Sequence, residues 1–329
     1  MSHAWEAAAA RARGFATHLL DERTIGEIGR ATDSAEVLRR LRDTTYARFL
    51  SARDATGLSL DLAITRSVSE RVGGLGRWCV RGSLDPVFLE QDMRSVRGLL
   101  RGLLGKTSTE QRLVGAIPTP TLDRRSLEVL ARADSPGALA GTLAAWGHPL
   151  GSALLEEARG TRPDPHLMEA ALARGLARAS AAGARRGGAH MVRFVAESLD
   201  AHNAVTAVVV AGARVEGSAA ALFVDGGGRL TREDFVRAAS AADRPTCAAQ
   251  LSKAMRGSVL ARPLAELPAS PGATSSRIFH ARLEALRRRC AVDPVSPLPV
   301  LLFVLRLARE ARLLRRAAWV AALSPRRAR

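Results

Sequence analysis

The chain has 329 residues, 47% of them apolar, and a formal net charge of +17 at pH 7. That length is enough to bury a sizeable core, and that apolar fraction excludes a disordered chain. Aromatics are only 4%, with one Tyr, while Ala, Leu and Arg, all good helix formers, dominate, so an all-α protein is expected.

Cys79, Cys247 and Cys290 are odd in number and far apart, with no disulfide framework and no CxxC spacing, as suits a reducing cytoplasm. The opening MSHAWEAAAARARG carries an acid and lacks an apolar centre, so it is not read as a signal peptide. No apolar run reaches the roughly 20 residues a spanning helix needs. The closest, SPLPVLLFVLRLARE, is cut by Arg306.

In chain order, residues 1–19 read as a helix with Trp5, Ala9, Phe15 and Leu19 among its apolar positions. From Leu19 to Leu50 come two short helices, with Asp21 and Ser34 as expected N-caps. A longer helix, SLDLAITRSVSERV, follows Leu58. Phe88 to Leu104, FLEQDMRSVRGLLRGLL, is the most regular stretch. Leu89, Met93, Val96, Leu100 and Leu103 step by four and three, which puts them on one helix face, and Asp92 and Ser95 form a narrower second stripe. Gly105 and the polar KTSTEQ are expected to end it.

The pieces then recur. AESLDAHNAVTAVVVAG carries Asp200 and Asn203, and VLRLAREARLLRRAAW carries Glu310 and Leu313, so the three acids lie 108 and 110 residues apart. Short paired helices open at Leu20, Leu122 and Leu230, 102 and 108 residues apart, each with an Asp turn at Asp33, Asp134 or Asp243. Pro136 and Pro245 follow that Asp, near N1 of the next helix, where Pro is tolerated. Helices after Pro165 and Ser276 match the one after Leu58, behind the linkers GTRPDP and ELPASPGATSS. The expectation is an internal repeat of about 105 residues, out of phase with the termini. Its segments are 1–57 (helices completing the repeat), 58–160, 161–265 and a partial 266–329.

Little in the chain suggests catalysis. None of the seven His is paired at i, i+4 or in HExxH, so no metal site is expected. GGLG at Gly73 and GGG at Gly226 to Gly228 lack a GK[ST] ending and a preceding strand, and read as loops between helices. His202 reads as solvated or capping. The pair Asp200–Asn203 is expected to hydrogen-bond a neighbouring helix end and fix packing. No catalytic residue and no cofactor is expected.

The net charge suggests an anionic partner: nucleic acid, an anionic membrane surface or an acidic protein. Arg-rich composition alone is an equal explanation. The basic stretches are Arg282 to Cys290, Arg309 to Arg316 and the tail PRRAR. They read either as solvated helix faces or as contacts to anionic lipid headgroups or acidic residues.

In this order the pieces resemble the C subunit of V/A-type rotary ATPases, called subunit d in the eukaryotic enzyme. That family carries acid-x-x-Asn followed by LLRG on long helices, three times. Asp92 with Leu99 to Gly102 resembles the first copy, Asp200 with Asn203 the second, and Glu310 with Arg312, Leu314 and Arg315 the third. The Asn position is Ser95 in the first and Leu313 in the third, and LLRG becomes VVVAG in the second, as in a divergent bacterial member. The family-motif positions are thus Asp92, Ser95, Arg101, Gly102, Asp200, Asn203, Glu310, Arg312 and Arg315, all structural.

The resemblance implies three similar helical domains in a pseudo-threefold, funnel-like arrangement. It also implies a non-catalytic central-stalk connector, peripheral on the cytoplasmic side of the membrane. The partners would be shaft subunits of the D and F type and a c-, K- or L-type proteolipid rotor ring. Torque passed between them would serve ATP-coupled proton or sodium transport. The alternative is a basic all-helical repeat protein binding nucleic acid. The chain lacks a reader motif and is poor in aromatics for base stacking, so no dedicated nucleic-acid partner is expected.

Overall fold

The computed structural model describes residues 3–51, 55–158, 164–212, 219–266 and 271–323. Among these it is all-helical, with sixteen α-helices, two short 3-10 turns and no strand.

Helix α1 (His3–Ala16) leads to the pair α2 (Glu22–Gly29) and α3 (Ser34–Arg42). Asp21 caps α2 through the Thr24 N–H. Ser34 is not the cap of α3: Asp33, in extended backbone, accepts the Glu36 N–H, and Ser34 is the first helical residue. Glu36 in turn accepts the Thr32 N–H, so the helix start is held from both sides. Asp33→Ala is expected to cost about 1 kcal/mol, read as a lower urea midpoint.

Helix α4 (Gly57–Gly76) starts in a capping box of Thr56 and Ser59. The GGLG stretch expected as a loop is instead its last turn. Leu75 is fully buried there, and that anchor outweighs the roughly 1 kcal/mol each glycine costs a helix.

Helix α5 (Asp85–Leu104) contains the regular stretch, and all five of its stripe residues are buried. It ends at Leu104, directly before Gly105, as expected, but the glycine does not make the turn. Gly105 does not turn left-handed; Lys106 does, at φ 53°. Lys106 N–H donates to Leu103 O (3.1 Å) and Thr107 N–H to Gly102 O (2.9 Å), which is a Schellman turn with a lysine at its left-handed position. Lys106→Gly is expected to raise stability by about 1 kcal/mol by relieving that backbone, seen as a higher urea midpoint.

Then come α6 (Thr109–Arg112), α7 (Arg124–Ala131) and α8 (Pro136–Ala145). Asp123 caps α7. For α8 the cap is Ser135, not the Asp134 turn, because Pro136 occupies N1 and the cap must precede it. The chain continues through α9 (Pro149–Ala158), α10 (Pro165–Gly187), α11 (Ala189–Val210), α12 (Arg232–Ala239) and α13 (Arg244–Ala254). It closes with α14 (Ala261–Ala265), α15 (Pro271–Val292) and α16 (Leu298–Leu323). Asp164 caps α10, Thr231 caps α12 and Asp243 caps α13. Most of GTRPDP, part of ELPASPGATSS and the PRRAR tail lie outside the described residues.

The helices gather into two compact units. The first comprises Met1–Cys79, Arg94–Ala133 and Pro294–Arg329. In it α16 packs on α1, α2, α3 and α4. Its core holds Leu60, Ile64, Leu301, Leu307 and Leu314, all fully buried, and Phe15 lies 5.9 Å from Phe303, ring to ring. Close packing is specific here: a Cβ on Gly57 would come 3.0 Å from Ala322 Cβ and 3.1 Å from the Trp319 ring. The second unit comprises Val80–Met93 and Asp134–Asp293. There α11 packs on α10, α12, α13 and α15, around Ala207, Val208, Phe235, Leu251 and Met255.

Candidate functional site

The recurring acids are all buried, and each holds something specific. In the second unit Asp200, on α11, takes three backbone N–H groups. Its Oδ2 accepts from Gly228 and Arg229 (both 3.0 Å) and its Oδ1 from Leu230 (3.2 Å). One turn on, Asn203 brackets a single residue: its Nδ2 donates to Val224 O (2.8 Å) and its Oδ1 accepts the Val224 N–H (3.0 Å). Together they clasp FVDGGGRL onto the helix, so this pair holds the loop that leads into α12. Two of the loop's three glycines are required sterically. Gly226 sits at φ +102°, and a Cβ on Gly227 would lie 2.1 Å from Asp200 Oδ1. Burial pushes the Asp200 carboxyl above its usual range, against the downward pull of the three amides.

In the first unit Glu310, on α16, does the matching work. Its Oε2 accepts the Leu20 N–H (2.6 Å), and Leu20 directly precedes the cap of α2 just as Leu230 directly precedes the cap of α12. Its Oε1 accepts the Tyr46 hydroxyl (2.7 Å) and lies 3.4 Å from Arg71 Nη1. Arg71 Nη2 donates to Thr45 Oγ1 (2.6 Å), and its guanidinium stacks 5.1 Å from the centre of the Tyr46 ring. Burial and the neighbouring Glu310 carboxylate push the Tyr46 phenol up, so it stays protonated and donates. Burial likewise raises the Glu310 carboxyl, while Tyr46, the Leu20 amide and Arg71 oppose the shift.

Ser95 repeats the bracket with a shorter arm. Its Oγ accepts the Ile117 N–H (3.1 Å) and donates to Ile117 O (3.4 Å) at the start of IPTPTL. Leu122, before the cap of α7, donates its N–H to Thr119 Oγ1 (3.0 Å). Asp92, in the second unit, lies with Oδ2 3.2 Å from His148 Nε2, and both are buried.

The remaining motif positions divide. Gly102 is a close-approach site: a Cβ would come 2.8 Å from Arg112 Cγ. Arg315 turns inward. Its Nε forms an ion pair with Asp61 Oδ1 (3.0 Å) and its Nη2 donates to Thr65 Oγ1 (2.7 Å). Asp61 is itself buried and also accepts the Gly115 N–H (3.0 Å). Arg101 and Arg312 are exposed, and Leu313 is half-buried. His202 is neither solvated nor a cap; it lies half-buried inside α11.

Sequence reasoning missed Tyr46, Arg71, Asp61 and His148. A signal for two of them was present. Asp61, Ile64, Val68, Arg71 and Leu75 step by three and four along α4, which puts two charges on a buried stripe.

The basic stretches also divide. Arg282 is buried against Phe194 and bonded to Ser198, and Arg289 pairs with Glu197 at 2.7 Å. Arg287 and Arg288 are exposed.

The chemistry on offer is structural. Burial pushes the Cys79 and Cys247 thiols up to about 12, far from thiolate reactivity. Among the described residues no three His, Cys, Asp or Glu side chains group as metal ligands. A groove of about 470 Å³ in the first unit, lined by Phe49, Leu62, Leu113, Pro118 and Leu127, has its rim carboxylates Glu70 and Glu128 paired to Arg48 and Arg124. Among the described residues no helix is long and apolar enough to cross a membrane.

What the acids build is a set of loop-to-helix clasps on long helices. The ATP synthase (C/AC39) subunit family matches residues 8–326. The chain belongs to that family. Membership makes it a subunit of the V/A-type ATP synthase kind and gives it a place within such a complex. The resemblance read from the acid spacing therefore holds over nearly the whole chain. Among curated proteins none matches it.

Proposed function

We propose that this chain is the central-stalk connector of a V/A-type rotary ATPase. It joins the rotating shaft, of D- and F-type subunits, to the membrane rotor ring on its cytoplasmic side. It does no chemistry itself and transmits torque for ATP-coupled proton or sodium transport. Family membership over residues 8–326 carries the reading. The clasps agree with it: a torque-bearing part needs its loops tied to its long helices, and Asp200 and Glu310 each tie one through a buried, multiply bonded carboxylate. Glu310 also binds the segment after α1 to the last helix, as a repeat out of phase with the termini requires.

The test is recovery of partners. The tagged chain, extracted from native membranes in mild detergent, is expected to bring down shaft and rotor-ring subunits. Recovery of nucleic acid, or of no ATPase subunit, would overturn the connector role.

A further inference from the structure

The solvent side of α16 is not used by the clasps. Arg306, Arg309, Leu313, Arg316, Val320 and Leu323 step by three, four, three, four and three, so they form one stripe along the 26-residue helix. Arg306 and Arg316 are exposed, Val320 is 54% exposed and Leu323 76%. Arg312, also exposed, flanks the stripe. Arg309 pairs with Glu22 across its edge. The only acid on α16, Glu310, points inward and is buried. The opposite side, through Leu307, Ala311, Leu314 and Ala318, is in the core. One helix thus carries a cationic band followed by an apolar tip, both facing water.

We infer that this stripe docks on an anionic lipid surface. Charge complementarity selects an anionic partner, since the helix contributes exposed Arg306, Arg312 and Arg316 and no carboxylate to this side, the charge of Arg309 being balanced by Glu22. The apolar tip selects a bilayer over a nucleic acid. Two aliphatic side chains gain nothing against phosphates, whereas at the headgroup–acyl boundary they leave water. The stripe also lacks an aromatic ring on which a base would stack. Near an anionic bilayer each arginine strengthens binding by about fivefold, less at high salt.

The experiment is co-sedimentation of the full chain with vesicles. One set is phosphatidylcholine alone; the other is three parts phosphatidylcholine to one part phosphatidylserine. Binding is expected only to the second and should fall with salt. Arg306→Gln with Arg316→Gln should weaken it about 10- to 30-fold, and Val320→Ser with Leu323→Ser several-fold. Arg287→Gln with Arg288→Gln, an exposed pair in the other unit, should leave it unchanged. All three variants change exposed side chains, and circular dichroism checks that each is folded. Equal loss in the Arg287/Arg288 control would overturn the proposal by assigning binding to bulk charge. So would an inert serine pair alongside duplex DNA binding that depends on Arg306 and Arg316, or no vesicle binding at all. The vesicles contain no ATPase subunit, so failure here leaves the connector reading untouched.

Discussion

Glu310→Ala is expected to destabilise the first unit by about 3–5 kcal/mol, the usual cost of stranding a buried charge. Arg71 is 7% exposed and would lose its carboxylate. The Tyr46 hydroxyl and the Leu20 N–H would lose their acceptor at the same time. Urea unfolding measures the total, and hydrogen exchange measures the local effect, which should concentrate at Leu20 and through α2 and α3. Glu310→Gln should cost less, because its amide oxygen still satisfies one donor. Removing both ends, Glu310→Gln with Arg71→Met, should cost less than Glu310→Ala alone, because no charge is then left buried. A loss under about 1 kcal/mol for Glu310→Ala would mean that the acid does not hold the segment.

The same carboxyl sets a pH dependence of definite sign. Its folded value lies above the ordinary 4.5 because burial disfavours the charge. The folded state then binds the proton more tightly than the unfolded chain does. The stabilisation is fully present below 4.5 and is lost as pH rises through the folded value. The cap acids run the other way. Asp21, Asp123 and Asp243 are held low by the N–H groups they accept, and Glu36 is held at about 2. Their stabilisation is present above the ordinary values and lost as pH falls through the lowered ones. Wild type should therefore gain on Glu310→Gln as pH drops from 7 toward 5. Asp200, which is also raised, adds a slope of the same sign that this variant keeps.

How much of this was legible in the sequence follows from range along the chain. Helix faces and caps rest on neighbours three and four residues apart, so the stripe of α5 and the cap Asp21 could be read directly, while the cap of α3 falls at Asp33, one residue before the expected Ser34. The acids were legible as a spacing, since Asp200 and Glu310 sit at the same step of a recurring order. Their partners were not. Leu20, Tyr46 and Arg71 meet Glu310 across 290, 264 and 239 residues, where no local pattern reaches. Two local rules also gave way to tertiary contacts. GGLG stays helical because Leu75 is buried, and a lysine turns left-handed because two Schellman bonds hold it there.

Asp200→Ala is expected to cost about 2–3 kcal/mol in the second unit, because it leaves the buried Leu230 amide and the two more accessible amides of Gly228 and Arg229 without their acceptor. Gly228, Arg229 and Leu230 would lose their bonds together, and the approach to α12 would come free. Asp200→Asn separates charge from shape. Its oxygen can accept from one side, but its amide group then faces N–H groups on the other, so donors meet donors. It should therefore cost nearly as much as Ala. Gly227→Ala tests the clasp from the loop side. A methyl group 2.1 Å from Asp200 Oδ1 cannot be accommodated, so the loop must lift or the carboxylate must rotate away. Either movement should open hydrogen exchange at residues 224–230 while leaving the Glu310 clasp, in the other unit, protected. If Asp200→Asn behaved like wild type, the carboxylate's second oxygen would be dispensable, and the acid at this step of the repeat would be only one of several polar residues able to do the work.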